Sequence, residues 1–266
     1  MSNVLNYLEE SAIKYPEKIA VIDEHESCTF SELKNSSQLI GNKLLNMFGE
    51  FDNNEECIVV FMDKSVKTLK AFMGIVYAGG FYSLIDPTFP IDRIRQMLEI
   101  TKTKHIITYK SNMDKLKESG FKGKILDIDD LLQGKLDKEI IKSKNNDVLD
   151  ADEKPLYCNF TSGSTGVPKA VLISHRSVID FIDNFTKTFG IDHNDVIGNQ
   201  APFDFDVSVK DIYSCLKEGA TLVIIPKSYF MFPNRVVDML DRYNVKATFF
   251  VTARGPDSLI KRIHDE

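Results

Sequence analysis

No apolar run in the sequence approaches the roughly 20 residues that a bilayer-spanning helix needs, so a membrane span is not expected. The N-terminus, Met1-Ser-Asn-Val-Leu, lacks a secretory pattern. Cysteine is sparse. Cys28, Cys57, Cys158 and Cys215 are scattered through apolar surroundings, where they read as small buried hydrophobes in a reducing compartment and not as disulfides or zinc ligands. His25, His105, His193 and His264 have no metal-ligand spacing, and no metal cage is expected. Positive charge is in deficit: a net charge of −6 and a pI of about 5.5 set the whole-molecule field against nucleic acid and anionic membrane. Repeats and low-complexity tracts are absent. The cytoplasm is the expected location.

What remains is an ordinary globular composition. The chain has 266 residues, 43% hydrophobic and 27% charged, enough for one large domain or two small ones. Val4, Leu5, Leu8 and Ala12 share one helical face before Tyr15-Pro16. Ile19 to Ile22 reads as a strand, and Ser31 as the N-cap of a helix running to about Met47. Cys57 to Met62 is a continuous apolar strand; Ser65 caps a helix through Tyr77, which Ala78-Gly79-Gly80 ends. Phe81 to Ile85 is a strand, Asp86 to Pro90 a proline turn, Ile91 to Thr101 a helix and His105 to Thr108 a strand. Lys124 to Leu126 closes this half. Gly134 to Lys154 is charged and reads as a surface connection.

Beyond it, Pro155 to Phe160 and Ala170 to Ile173 have strand character, and His175 to Phe189 is helical. Val196 to Gly198 is extended, Ser208 to Leu216 helical and Ala220 to Ile225 a strand. Val236 to Tyr243 is a helix with Val237, Met239 and Leu240 facing inward, and Thr248 to Val251 is the last strand. Alternating strands and helices predict an α/β fold, with largely parallel sheets covered by helices in two lobes. The lobes are expected at about 1–133 and 155–266, with the connection at about 134–154.

The organising stretch is Asn159 to His175, N-F-T-S-G-S-T-G-V-P-K-A-V-L-I-S-H. Thr161, Ser162, Gly163, Ser164, Thr165 and Gly166 form a turn-prone loop of hydroxyls and glycines. Glycine lets backbone N–H groups face a ligand without Cβ clashes, and the hydroxyls add donors, so the loop can wrap a phosphate. Lys169 adds a mobile positive charge. A plain turn between strands is the alternative. A P-loop is excluded: counting from Gly163, its second glycine would fall on Pro168, and Lys169 precedes Ala170.

T-S-G-S-T-G-x-P-K followed by histidine resembles the phosphate-loop signature of the adenylate-forming enzymes. These include the adenylation domains of non-ribosomal peptide synthetases and the D-alanine–carrier protein ligases. Ala170 departs from the family's usual glycine. The opening helix with Tyr15-Pro16-Glu17-Lys18-Ile19-Ala20-Val21, then Thr29-Phe30-Ser31-Glu32-Leu33, and Ala78-Gly79-Gly80 through Ile85-Asp86-Pro87 are similar to the same family's structural motifs. The likeness covers nearly the whole chain. It implies the first part of the large N-terminal domain of such an enzyme.

Phe205-Asp206-Val207-Ser208 resembles the motif whose aspartate meets the substrate's α-ammonium in amino-acid-activating relatives. Asp206 as a simple helix N-cap is the bland alternative. Lys210, four residues on, corresponds to a position lining the side-chain pocket, where it would favour Glu, Asp or Gln; alternatively it snorkels to solvent. The resemblance implies a ligase: an amino acid carboxylate attacks the α-phosphate of ATP, pyrophosphate leaves, and a carrier-protein pantetheine thiol accepts the aminoacyl group. Thr161 to Gly166 and Lys169 would hold the phosphates, with Lys169 neutralising charge as the catalytic cation. Magnesium would accompany the ATP. The family's later motifs, for adenine, for ribose and for a mobile C-terminal domain, do not occur before Glu266. An inactive remnant that binds a nucleotide or partner is therefore the rival expectation.

Overall fold

The computed structural model describes residues 3–49, 57–136, 153–162, 168–249 and 260–262. Its elements form two compact units. One comprises Met1–Leu5, Lys34–Asp63 and Lys67–Val178, and the other Asn6–Leu33, Lys64–Val66 and Ile179–Glu266.

The first unit is built on a six-stranded sheet. Its strands are β3 (Cys57–Phe61), β4 (Phe81–Leu84), β5 (His105–Thr108), β6 (Lys124–Asp127), β7 (Pro155–Ser162) and β8 (Pro168–Ser174), in the order β6-β5-β3-β4-β7-β8. All neighbours are parallel except β7 and β8, which form an antiparallel hairpin. The uninterrupted Cys-Ile-Val-Val-Phe run of β3 is buried at every position, as expected of a central parallel strand covered on both faces. One face carries Cys57, Val59, Phe61 and Ile106, packed against Ile94, Met97 and Leu98 of helix α4 (Ile91–Thr101) and against Leu116. Leu116 lies on α5 (Met113–Glu118), a short helix without a periodic signal in the sequence; a single turn, α6 (Ile128–Leu131), follows β6.

Two longer helices meet at glycines. In α2 (Phe30–Phe48) a Cβ on Gly41 would stand 2.8 Å from Cβ of Tyr77. In α3 (Val66–Tyr77) a Cβ on Gly74 would stand 2.6 Å from Cβ of Ile40, so the two backbones approach where neither residue carries a side chain. The start of α2 differs from expectation. It begins at Phe30 and is capped by Thr29, not Ser31: the Thr29 hydroxyl accepts the Glu32 N–H at 3.1 Å and the Glu32 carboxylate accepts the Thr29 N–H at 2.8 Å. That is a reciprocal capping box in T-F-S-E.

The second unit has its own six-stranded sheet. It contains β1 (Ile19–Ile22), β2 (Ser27–Thr29), β9 (Val196–Asn199), β10 (Thr221–Ile224), β11 (Ala247–Phe249) and β12 (Ile260–Arg262), in the order β12-β11-β9-β10-β1-β2. The central four strands run parallel, with antiparallel β2 and β12 at the edges. Val223, Ile225, Val245 and Met239 form one core; Met239 comes from a helix over Pro233–Arg242. Val236 and Leu240 accompany it, whereas Val237, expected inside, is 53% exposed because the helix turns that face outward. Helix α1 (Leu5–Lys14) is tied here by Ser11, whose hydroxyl donates to the Leu216 carbonyl at 2.6 Å.

The expected mixed α/β class with mostly parallel sheets is what the structure shows. The expected division at 134–154 is not where the sheets divide: β7, beyond it, pairs with β4 through Tyr82 and Tyr157, while β1 joins the other sheet through Val21 and Leu222. Hydrogen bonding between strands distant in the chain overrides the composition break. All four cysteines are free and buried. Residues 137–152 of the connection, and Phe250 and Val251 of the last expected strand, lie outside the described residues.

Candidate functional site

The hairpin β7–β8 carries the first group of candidate residues. Its register sets Asn159 opposite Val171, Thr161 opposite Lys169 and Ser162 opposite Pro168. Thr161 and Lys169 are both exposed, and the Thr161 hydroxyl donates to the Lys169 carbonyl at 3.5 Å. Gly163, Ser164, Thr165 and Gly166, with Val167, lie outside the described residues. What the structure supplies is the frame: a hydroxyl and an ammonium at directly opposed positions where the two strands enter the loop. The loop joins antiparallel strands, unlike a P-loop, which opens a helix.

The strand β8 runs directly into helix α7 (His175–Phe189). Ser174 caps it, its hydroxyl accepting the Ser177 N–H at 3.2 Å. His175 is buried, its own N–H bonds the Lys154 carbonyl at 3.1 Å, and its Nδ1 accepts the Val4 N–H at 3.4 Å. Burial, reinforced by the Lys154 charge, lowers its pKa to about 4. A neutral imidazole accepting at Nδ1 packs and caps there.

The second group lies between β9 and helix α8 (Val207–Glu218). Phe205 and Asp206 are exposed and Val207 is half-buried. Asp206 occupies the N-cap position, yet its side chain makes no cap hydrogen bond; φ −56° and ψ −28° place it in the helical region, with its carboxylate in solvent. Ser208 is buried and turns its hydroxyl onto the Phe205 carbonyl at 2.7 Å. The Lys210 ammonium bonds the Val207 carbonyl and the Asp211 carboxylate, each at 3.1 Å. It neither snorkels freely nor projects from the surface, being only 14% exposed in its side chain.

Two further residues complete this cluster, and sequence reasoning missed both. Asp211 is fully buried, and its other oxygen accepts from the Asn199 side-chain amide at 2.9 Å. Burial pushes its pKa up against the pull of Lys210, Asn199 and Lys64. The Lys64 ammonium meets four oxygens: the carbonyls of Asn199 (3.3 Å), Gln200 (2.8 Å) and Ala201 (3.3 Å), and the Asn199 side-chain oxygen (3.1 Å). A signal for Asp211 was present, since it sits one residue before Ile212 and four before Cys215 on the apolar face of α8. Nothing local marks Lys64, whose partners are about 135 residues away in the chain.

Two sheets, mostly parallel and covered by helices, are an arrangement shared with solved structures of peptide synthetases. Among solved structures, the non-ribosomal peptide synthetase FmoA3 aligns with a TM-score of 0.76 at 22% identity, covering 92% of this chain and 25% of that one. VinN in complex with L-aspartate aligns at 0.77 and 20% identity, covering 92% and 61%. Tyrocidine synthase 1 of Brevibacillus parabrevis is 30% identical over 222 residues, 82% of this chain and 19% of that protein. Gramicidin S synthase 2 of Brevibacillus brevis is 30% identical over 246 residues, 92% of this chain and 5% of that protein. The model of the AMP-binding enzyme family matches residues 8–254, and the chain belongs to that family. It spans less than a fifth of the length of either synthetase.

Proposed function

We propose that this chain serves ATP-dependent activation of an amino acid as its aminoacyl-adenylate. The observation that carries the reading is the exposed pair Thr161 and Lys169, opposed across the hairpin that leads into the hydroxyl- and glycine-rich loop. Their chemistry fits a polyphosphate: a hydroxyl beside a mobile cation, next to a stretch of sequence rich in glycine and hydroxyl residues. ATP supplies the electrophilic α-phosphorus. A carboxylate oxygen bonds to it, the bond to the β-phosphate bridge breaks, and pyrophosphate leaves with the electron pair; no proton needs to move. Thr161, Ser162, Gly163, Ser164, Thr165, Gly166 and Lys169 hold and neutralise the phosphates, with magnesium arriving on the nucleotide.

The exposed carboxylate of Asp206, uncommitted to the helix cap, takes the substrate's α-ammonium, with Phe205 and Val207 beside it. A substrate without that ammonium would forgo this ion pair and bind more weakly. Lys210 favours a substrate side chain that is acidic or hydrogen-bonding: Glu, Asp or Gln. The activated aminoacyl group passes to a carrier-protein pantetheine thiol, with AMP as the leaving group.

The test is amino-acid-dependent ATP–pyrophosphate exchange across a panel of amino acids. Exchange with one amino acid is expected, lost in Asp206→Ala and reduced by about tenfold or more in Lys169→Ala. Equal exchange in wild type and both variants would overturn the reading. Lys210→Ala with an unchanged amino-acid preference would remove the specificity assignment alone.

A further inference from the structure

Lys64 stands outside every motif that the proposed function uses, yet it organises the segment that carries Asp206. Its single ammonium gathers the carbonyls of three consecutive residues, Asn199, Gln200 and Ala201, just where β9 ends and the chain turns toward Pro202 and Asp206. The Asn199 side chain extends this bonding. Its oxygen accepts from Lys64 at 3.1 Å, and its amide donates to buried Asp211 at 2.9 Å. Asp211 in turn holds Lys210 on the first turn of α8. The segment is thus tied at its start by Lys64 and, through the Asn199 side chain, to Asp211 on the helix that follows it.

We propose that Lys64 is a positioning residue that straps residues 199–206 and so sets where the Asp206 carboxylate stands. The proposal rests on the reading of Asp206 as the substrate's ammonium partner, and it adds a regulation of that same site. Carbonyls aimed at one cation repel one another when it is lost, so the strap depends on the charge as well as on the bonds. Burial draws the Lys64 pKa from its usual value down to about 7, against the opposing attraction of Asp211 on α8 and Asp204 in the segment itself. Lys210 is the further charged group that faces this cluster, through Asp211. Lys64 therefore passes from ammonium to amine near neutrality. The sign follows: the strap is complete below that pH, loosens above it, and amino acid binding weakens as pH rises.

Two measurements test this. The first is amide hydrogen exchange over residues 200–208 in wild type, Lys64→Met and Lys64→Arg at about pH 6 and about pH 8, corrected for intrinsic rates. Lys64→Met is expected to exchange about tenfold faster there at the lower pH, while β9 and β10 keep their protection. Wild type should approach the Met variant at the higher pH, and Lys64→Arg, which stays charged, should lose the pH dependence. The second is the amino acid KM in pyrophosphate exchange, expected to rise about tenfold in Lys64→Met with kcat within about twofold. Equal protection in wild type and Lys64→Met at about pH 6 would overturn the strap. If the Met variant fails to fold, wild type alone decides: identical protection at both pH values sinks the proposal. Asp206→Ala separates the two readings, because retained amino-acid-dependent exchange in that variant removes the substrate assignment while leaving the Lys64 result standing.

Discussion

At the scale of single residues, buried charge sets the pH behaviour. His175 is held neutral with a pKa of about 4, below the ordinary histidine value of 6.5. A depressed folded-state pKa means that its contribution is full above the unfolded value and is lost as pH falls toward the folded one. The window is therefore between about pH 6.5 and about pH 4, and the loss reaches about 3 kcal/mol at 1.36 kcal/mol per pKa unit. Thermal melts of wild type across that window should fall more steeply than those of His175→Asn, which keeps an acceptor for the Val4 N–H but no titrating ring. Parallel curves would show that the imidazole protonates without cost. Asp211 makes the opposite kind of prediction. Removing its charge in Asp211→Asn leaves two ammonium groups, Lys64 and Lys210, without their shared carboxylate. Breaking a buried pair in this way destabilises by about 3 kcal/mol or more, which denaturant unfolding of the variant would register. Residue by residue, the hydroxyl-rich loop could be put forward as a phosphate site from the sequence because its chemistry is contiguous. The Lys64 cluster could not, because it assembles from segments separated by over a hundred positions.

At the scale of elements, local rules located most helices and strands, and their exceptions are instructive. His175–Phe189 and Ile91–Thr101 match the expected boundaries, since serine and proline mark their starts. The capping box of α2 was readable in T-F-S-E, but a serine one residue into the helix obscured it. Thr29→Ala should cost about 1 kcal/mol, measured by chemical denaturation, with Ser31→Ala smaller. The close approach of α2 and α3 left no such local mark, because a glycine in a helix reads only as a weak residue. Its reason is across the interface: Gly74→Ala would drive a Cβ to 2.6 Å from the β-branched Ile40. Ile40 is fully buried and cannot withdraw, so a loss of about 1 to 3 kcal/mol is expected. Gly219 ends α8 with φ +75°, and an added Cβ would meet the Tyr15 ring at 2.5 Å. There both strain and clash oppose alanine.

At the scale of the whole molecule, the sheets could be foreseen as parallel but not partitioned. Parallel neighbours are joined by crossovers, so chain order does not reveal sheet order: β1 pairs with β10 some two hundred residues later, and a charged connection at 134–154 divides neither sheet. Among the described residues no helix is long and apolar enough to cross a membrane. The net charge of −6 acts over the same scale and opposes an anionic nucleotide. Any ATP affinity must then come from local donors that outweigh this field, and Lys169, exposed at the mouth of its hairpin, is the cation proposed for that role. Both the repulsion and the exposed lysine's attraction are screened by salt, whereas neutral hydrogen bonds to a phosphate are not. The difference between wild type and Lys169→Ala should therefore be about tenfold in ATP Kd at about 0.01 M ionic strength and shrink to about threefold or less near 1 M. Isothermal titration at the two ionic strengths measures it. A ratio that does not change with salt would mean that Lys169 acts through a desolvated contact with a phosphate and not as a screened surface charge.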